Sequence, residues 1–525
     1  MRKAFLVSAV VVPAAIILIA VRWPLALWSF VLVAPLVLLG LHDVLQRRHS
    51  LLRNYPIIGH GRRLMEDIRP EIQQYFVEGN TDGTPFSREF RSVVYQRAKG
   101  TMDTVAFGTQ RDVDRIEYEW MNHSLAPKTP PEREPRVRIG GSECAQPYDA
   151  SHLNISGMSF GALSKNAILA LNGAAAKGGF CHNTGEGGLS AYHLAPGGGL
   201  VWQVGTGYFG CRTSDGRFDP GLFAENAARE SVKMIEIKLS QGAKPGHGGI
   251  LPAAKLTEEI AGVRGVPLGH DVVSPPAHTA FDGPRGLLEF VARLREMSKG
   301  KPVGFKLCVG HPSEFLGICK AMVETGLRPD FITVDGGEGG TGAAPLELSN
   351  SVGTPLREGL VFVRNSLAGI GVRDQVRIIA AGKITTGFHL FRAMALGADL
   401  CNSARGMMMA LGCIQARKCN TNTCPVGVAT QDPSRTKALD VSDKTRRVYN
   451  FQRATIRAFL ELAATAGLEG PDEIRPEHVL HREEDHVIRH LGEVYPCLPE
   501  GRLLQPDGMP DWWRVRWQAA SADRF

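Results

Sequence analysis

Between residues 150 and 438 one unit recurs. A short apolar run, rich in β-branched residues, closes on Gly, Ser, Asn or Lys and is followed by a helix-like stretch. Strands separated by helices pair in parallel, which predicts an α/β domain. The candidate strands are Leu153 to Ser156, Gly179 to His182, Val201 to Val204, Met234 to Leu239, Asp271 to Ser274, Val303 to Leu307, Phe331 to Val334, Val376 to Ala380 and Leu400 to Asn402. Eight or so strand and helix units within roughly 270 residues predict a TIM (β/α)8 barrel, whose chemistry sits on the loops that follow the strands.

Two uncharged apolar runs, residues 4–21 and 25–41, precede the barrel and are long enough to cross a membrane. They predict a transmembrane helical hairpin over residues 1–42, with Trp23 and Trp28 near an interface and Pro24 starting the second helix. Arg2 and Lys3 before it, and Arg47, Arg48 and Arg53 after it, place both ends, and the barrel with them, on the cytoplasmic side of the inner membrane. A cleaved signal peptide is the rival reading. A second apolar run so close behind, with no small-x-small site between the two, favours the hairpin. Residues 43–149 read as a polar collar with a helix-like patch from Arg63 to Val77 and a Pro-rich exit at Pro127, Pro130, Pro131 and Pro135. Residues 439–525 read as a helical, polar extension in which Cys497 is a packed thiol.

A net charge of +7 with its basic residues spread out gives no nucleic-acid footprint. Ten cysteines scattered over 525 residues do not make a secreted disulfide framework, and a reducing compartment follows. The glycines, 59 in all, bunch in loops after apolar runs, where backbone is brought close to a ligand.

Four of those loops carry candidate chemistry. Ile235 to Ile250 runs from a strand into a loop with Lys238, Gln241 and Lys244 among Gly242, Gly246, Gly248 and Gly249; a lysine there can pair with a substrate carboxylate or with the edge of a reduced flavin. Asp335 to Gly342 and Ala381 to Gly387, with Gly382 and Lys383, are Gly-rich turns after strands, the second opening on a helix. Such turns offer N–H groups to a phosphate-bearing cofactor. Gly-x-Gly-x-x-Gly spacing occurs in the first, but no acidic residue can be placed about twenty positions on, so a Rossmann domain is rejected. Asn183 to Gly188 sets Glu186 on a loop after the second strand, where a carboxylate can orient an ammonium or move a proton.

The stretch from 413 to 431 brings Cys413, Cys419 and Cys424 together, with Pro425 after the last. Closely spaced thiolates and a following proline suit an iron–sulfur cluster, and three ligands suit a three-iron one. A structural zinc site, which wants four ligands, and three unliganded thiols remain open.

Ser156 to Ser164, Asn183 to Gly188, Lys238 to Gly246, Asp335 to Gly342 and the Cys413 to Cys424 run, in this order over roughly residues 150 to 435, resemble the FMN-binding synthase domain of glutamate synthases. With the hairpin, the chain is similar to the short membrane-anchored bacterial forms. The resemblance implies FMN in the barrel mouth and a 3Fe-4S cluster on Cys413, Cys419 and Cys424. It puts Ser159, Gln203, Lys238, Asp335, Gly336, Gly337, Gly382, Lys383 and Gly406 on the cofactor, with Lys238 and Gln203 at the flavin ring and Gly382, Lys383 and Gly406 at its phosphate. Lys244, Gln241 and Arg264 go to the keto acid, and Lys244, Glu186 and Lys238 to the chemistry, Glu186 holding the ammonia or imine. The implied reaction is reductive amination of 2-oxoglutarate through 2-iminoglutarate, an oxidoreductase step. No amidotransferase or NADPH domain is visible, so ammonia and a separate donor (a reductase, a ferredoxin or the quinone pool) are the expected partners. The chain departs from the family at His247 and Ile250, where the large enzymes carry Glu and Gln. That keeps open another keto acid or imine as substrate, or a non-catalytic electron-transfer module.

Overall fold

Eight parallel strands close on themselves in the computed structural model: β1 Leu153–Ile155, β2 His182–Asn183, β3 Leu200–Val204, β4 Val232–Lys238, β5 Val303–Leu307, β6 Phe331–Asp335, β7 Arg377–Ala381 and β8 Leu400–Ser403. Each pairs with the next, β4 pairs with β5, and β8 returns to β1. The TIM barrel expected from the recurring unit is the fold. The structure describes residues 1–101, 104–505 and 507–525, and divides into two compact units, Met1–Arg88 and Glu89–Phe525.

Two of the nine candidate strands differ from expectation. Asp271 to Ser274 is not in the barrel: Val272–Val273 pairs antiparallel with Ile250–Leu251 in a separate ribbon. The prolines at 275 and 276 supply no ladder donor, and Val273 is left exposed, so the run suits an edge and not a core strand. The strand begun at Gly179 starts instead at His182, because Gly179 is the left-handed cap (φ 64°) that ends the helix Lys165–Gly178.

The hairpin Val137–Ile139/Tyr148–Ala150 plugs the N-terminal end of the barrel. Ile139 and Ala150 pack there with Cys181, Val201, Met234, Phe331, Ile379 and Leu400 in one buried cluster. Burying each large aliphatic or aromatic side chain of this plug is worth about 1.5–3 kcal/mol. The opposite end is left for the chemistry.

The extension beyond residue 439 is only partly helical. The 25-residue helix Val441–Thr465 packs on Lys165–Gly178, and a β-carbon on Gly173 would meet Thr445 Oγ1 at 2.9 Å. A β-hairpin follows, Val479–Glu484 and Val487–His490, which pairs with Glu119–Met121. Its exposed charged residues hide the alternation that marks a strand. Cys497, expected to be packed, is exposed.

In the first unit the helix Arg2–Ala20 and the span Pro24–Leu45, a 3-10 turn running into the helix Phe30–Leu45, have mean hydropathies of 2.4 and 2.2 and are long and apolar enough to cross a membrane. The ring of Phe5 lies against Gly40, where an added β-carbon would come within 2.2 Å of it. The patch expected from Arg63 to Val77 is the helix Gly59–Ile72 continued by a π turn, Gln73–Val77.

Candidate active site

Side chains alternate along a strand, so every second residue of β4 faces the barrel axis. Met234 belongs to the apolar plug, Glu236 to the layer above it and Lys238 to the mouth. The middle layer is polar. Glu236, buried, accepts from Asn183 Nδ2 (2.8 Å), Gln203 Nε2 (2.6 Å) and Thr333 Oγ1 (2.6 Å), tying β2, β3 and β6 to β4. Removing the carboxylate strands three buried donors at about 1–3 kcal/mol each. Glu236→Ala should therefore lower the thermal unfolding midpoint of the purified protein by several degrees, with Glu236→Gln in between. An unchanged midpoint would show that the layer adds no stability.

At the mouth, Lys238 Nζ lies 2.9 Å from Glu186 Oε1. Burial pushes the Glu186 carboxyl up, but Lys238, Arg264 and Lys244 around it hold it below the ordinary carboxylate range. Glu186 is thus an anion in a ring of cations. Burial pushes Lys238 down, with Glu186 opposing and Lys306 adding to the effect. Lys306 Nζ is in turn 3.8 Å from Asp335 Oδ2, which accepts from the Gly242 amide at 3.1 Å.

Lys244 differs from its neighbours. It is 2% exposed, yet among the described residues its ammonium has no hydrogen-bond or ion-pair partner. Burial lowers it to about 8, against the pull of Glu186. The glycines of its loop are explained by close approach: a β-carbon on Gly242 would meet Gly336 O at 1.7 Å, and one on Gly249 would meet Glu186 Oε1 at 2.2 Å.

Arg264 is buried, its guanidinium 5.0 Å from the Phe209 ring centre, and donates to Phe160 O (3.2 Å) and Ser159 Oγ (3.4 Å). Ser159 and Arg264 are thereby brought together beside Glu186. Gln241 turns the other way and donates to Thr341 Oγ1 at 3.3 Å. Gln203 is anchored in the middle layer, below the mouth.

The two Gly-rich turns behave differently. The amides of Gly336 and Gly337 donate to Ala381 O and Thr354 O, both at 2.8 Å, and have no N–H left for a ligand. Among the described residues the amides of Gly382, Lys383 and Gly406 donate to no protein carbonyl outside the regular elements. Lys383 is left-handed (φ 50°), and its ammonium is pushed down by burial and by the Arg405 charge. Free amides beside two mutually repelling cations fit a phosphate.

The cysteine loop leaves the helix Arg405–Leu411 at Gly412 and is wound by left-handed Gln415, Arg417 and Asn422 (φ 58°, 54° and 60°). Asn422 Oδ1 accepts from Gln431 N (2.7 Å) and Thr430 Oγ1 (3.0 Å), which ties the loop to itself. Burial raises the Cys413 thiol to about 11, and Cys419 and Cys424 add to the rise, so the three sulfurs share one neighbourhood. Lys255 sits beside them, donating to Ala162 O (2.6 Å), Cys419 O (3.3 Å) and Ala429 O (3.3 Å). Among the described residues no three His, Cys, Asp or Glu side chains close to the geometry of a single metal ion.

Sequence reasoning did not single out Glu236, Lys306, Arg405 or Lys255. Glu236 and Lys306 carry a usable signal, since each is a charged residue inside a short strand otherwise buried. Arg405 and Lys255 carry none.

The family model described as the conserved region in glutamate synthase matches residues 110–469. The glutamate synthase large subunit-like protein YerD of Bacillus subtilis (strain 168) is 38% identical over 510 residues, 88% of this chain and 96% of that protein. The archaeal glutamate synthase (NADPH) of Methanocaldococcus jannaschii is 36% identical over 322 residues, 61% of this chain and 60% of that protein, so the match spans three fifths of the archaeal enzyme. Among solved structures, a mandelate oxidase mutant with an FMN adduct covers 82% of this chain and 99% of its own at 15% identity, with a TM-score of 0.40.

Proposed function

Since the chain belongs to the glutamate synthase family, a family of oxidoreductases, we propose that it is an FMN- and iron–sulfur-dependent enzyme that reductively aminates 2-oxoglutarate through 2-iminoglutarate. The observation that carries this reading is Lys244, an unpartnered ammonium 2% exposed beside the Glu186–Lys238 pair at the barrel mouth. A buried cation that only shares the charge of Glu186 with Lys238 and Arg264 and makes no contact ion pair is costly, and a substrate carboxylate relieves that cost.

The chain's own residues then divide the work. Gly382, Lys383 and Gly406 hold the FMN phosphate, with Arg405 adding charge, and Lys238 faces the ring. Hydride transfer to the imine is the chemistry FMN supplies when bound. Lys244 holds a carboxylate of the keto acid. Arg264, locked on Phe160 O and Ser159 Oγ, adds positive field without moving. Glu186, kept ionised by its cationic ring, is the anion at the mouth that would orient the ammonia or imine. Cys413, Cys419 and Cys424 would hold a 3Fe-4S cluster.

We propose the organisation 1–42 membrane hairpin, 43–149 collar, 150–438 barrel and 439–525 extension, with the barrel on the cytoplasmic side and electrons arriving from a separate reductase, ferredoxin or quinol. A second reading, another keto acid or an imine as substrate, is favoured by Ile250. This residue lies in the Ile250–Leu251 ribbon and offers no amide to a second carboxylate.

The test is an anaerobic absorbance and low-temperature EPR spectrum of the detergent-solubilised chain. Flavin bands with a three-iron signal, and flavin reoxidation only when 2-oxoglutarate and ammonia are both present, are the expected result. Both cofactors without that reoxidation would move the substrate to the second reading. Absence of either cofactor would overturn the proposal.

A further inference from the structure

The helix Gly59–Ile72 and the π turn after it are exposed along almost their whole length. Five of their apolar residues form one stripe, Ile58, Met65, Ile68, Ile72 and Phe76, at spacings of 7, 3, 4 and 4; Leu64 and Tyr75 flank it and Val77 lies off it. Phe76 is 84% exposed, Ile58 60% and Met65 58%. Arg63 and Asp67 lie on the opposite face. A lone helix of this length is marginal in water, so something must cover the stripe.

The elbow before the helix indicates what does. Asp43, fully buried near the end of the second membrane-length helix, accepts from Ile57 N (2.9 Å) and lies 2.9 Å from His60 Nε2. Ile57 is left-handed (φ 64°), a costly conformation for a β-branched residue that persists only where its surroundings enforce it. The start of the amphipathic helix is therefore pinned to the end of an apolar span. The connector between them carries Arg47, Arg48 and Arg53 and no acidic residue. Cationic side chains at that level suit anionic lipid headgroups.

We propose that residues 58–76 lie in the plane of the bilayer interface, with the Ile58–Phe76 stripe buried among lipid acyl chains and Arg63 and Asp67 facing water. The inference rests on the reading of the two apolar helices as a membrane hairpin, and the Asp43 pin sets the depth. Its experiment uses the full chain reconstituted in phosphatidylcholine and phosphatidylglycerol vesicles, with p-benzoylphenylalanine placed singly at Met65, Ile72 or Phe76, at Arg63 or Asp67, and at Leu18 or Leu32 in the hairpin.

Lipid photo-adducts at the three stripe positions and at Leu18 and Leu32, with loss of adduct at Arg63 and Asp67, are expected. Adducts at Leu18 and Leu32 while the stripe positions give protein adducts or none would overturn the interfacial helix and leave the hairpin standing. Equal lipid adducts on both faces would also overturn it. No lipid adduct at Leu18 and Leu32 would overturn the hairpin and, with it, this inference.

Discussion

Lys244→Ala should abolish turnover with the keto acid while the purified chain keeps its flavin absorbance. The ammonium is buried, has no partner among the described residues, and stands beside an ion pair that already satisfies Glu186. Its removal therefore breaks no hydrogen bond or ion pair among the described residues but deletes the counter-charge for a desolvated carboxylate. Losing one member of such a pair costs about 3–5 kcal/mol, or roughly a hundredfold to several thousandfold in kcat/KM. The flavin should stay because its phosphate cradle, Gly382, Lys383 and Gly406, lies on other loops. The pH profile gives an independent check. Burial brings Lys244 down to about 8 from an ordinary 10.5. The charged form that binds the anion is thus present below that pH and lost above it. KM for the keto acid should rise by about tenfold per pH unit beyond the pKa of free Lys244, and this limb should vanish in Lys244→Ala. Unchanged turnover in the variant would remove Lys244 from the site.

The residues that meet at the mouth were legible because each stands where a strand gives way to a loop. Glu186, Lys238 and Lys244 follow β2 and β4, and the glycines around them mark backbone in close approach, as Gly242 against Gly336 and Gly249 against Glu186 show. The middle layer was less legible. Glu236 lies inside a strand whose neighbours are apolar, and nothing short of the closed barrel tells that Asn183, Gln203 and Thr333 converge on it from three other strands. The two glycine turns could not be told apart by composition. Gly336 and Gly337 use their amides to join β6 to its neighbours, whereas Gly382 keeps its amide free, a difference fixed by tertiary pairing. The same limit explains Val272–Val273, whose β-branched pair promises a strand but whose partner is a loop ribbon.

Cys419→Ser should remove the iron and the low-temperature EPR signal while leaving FMN bound; Cys497→Ser, at an exposed thiol, should change neither. The physical argument lies in what the three thiols do to one another. Burial raises Cys413 and Cys419, and each is raised further by the charge of its neighbours, so a cation among these sulfurs would favour their thiolate forms. Lys255 supplies one charge, but its ammonium is already committed to three carbonyls. The proposed iron–sulfur cluster would supply the rest and keep the sulfurs deprotonated. Left-handed Gln415, Arg417 and Asn422 wind the loop, and the Asn422 hydrogen bonds hold it in that shape. A serine at position 419 presents a harder and far less acidic oxygen, which substitutes poorly for thiolate on iron. Full iron content in Cys419→Ser would take Cys419 out of the ligand set and overturn the three-cysteine cluster site.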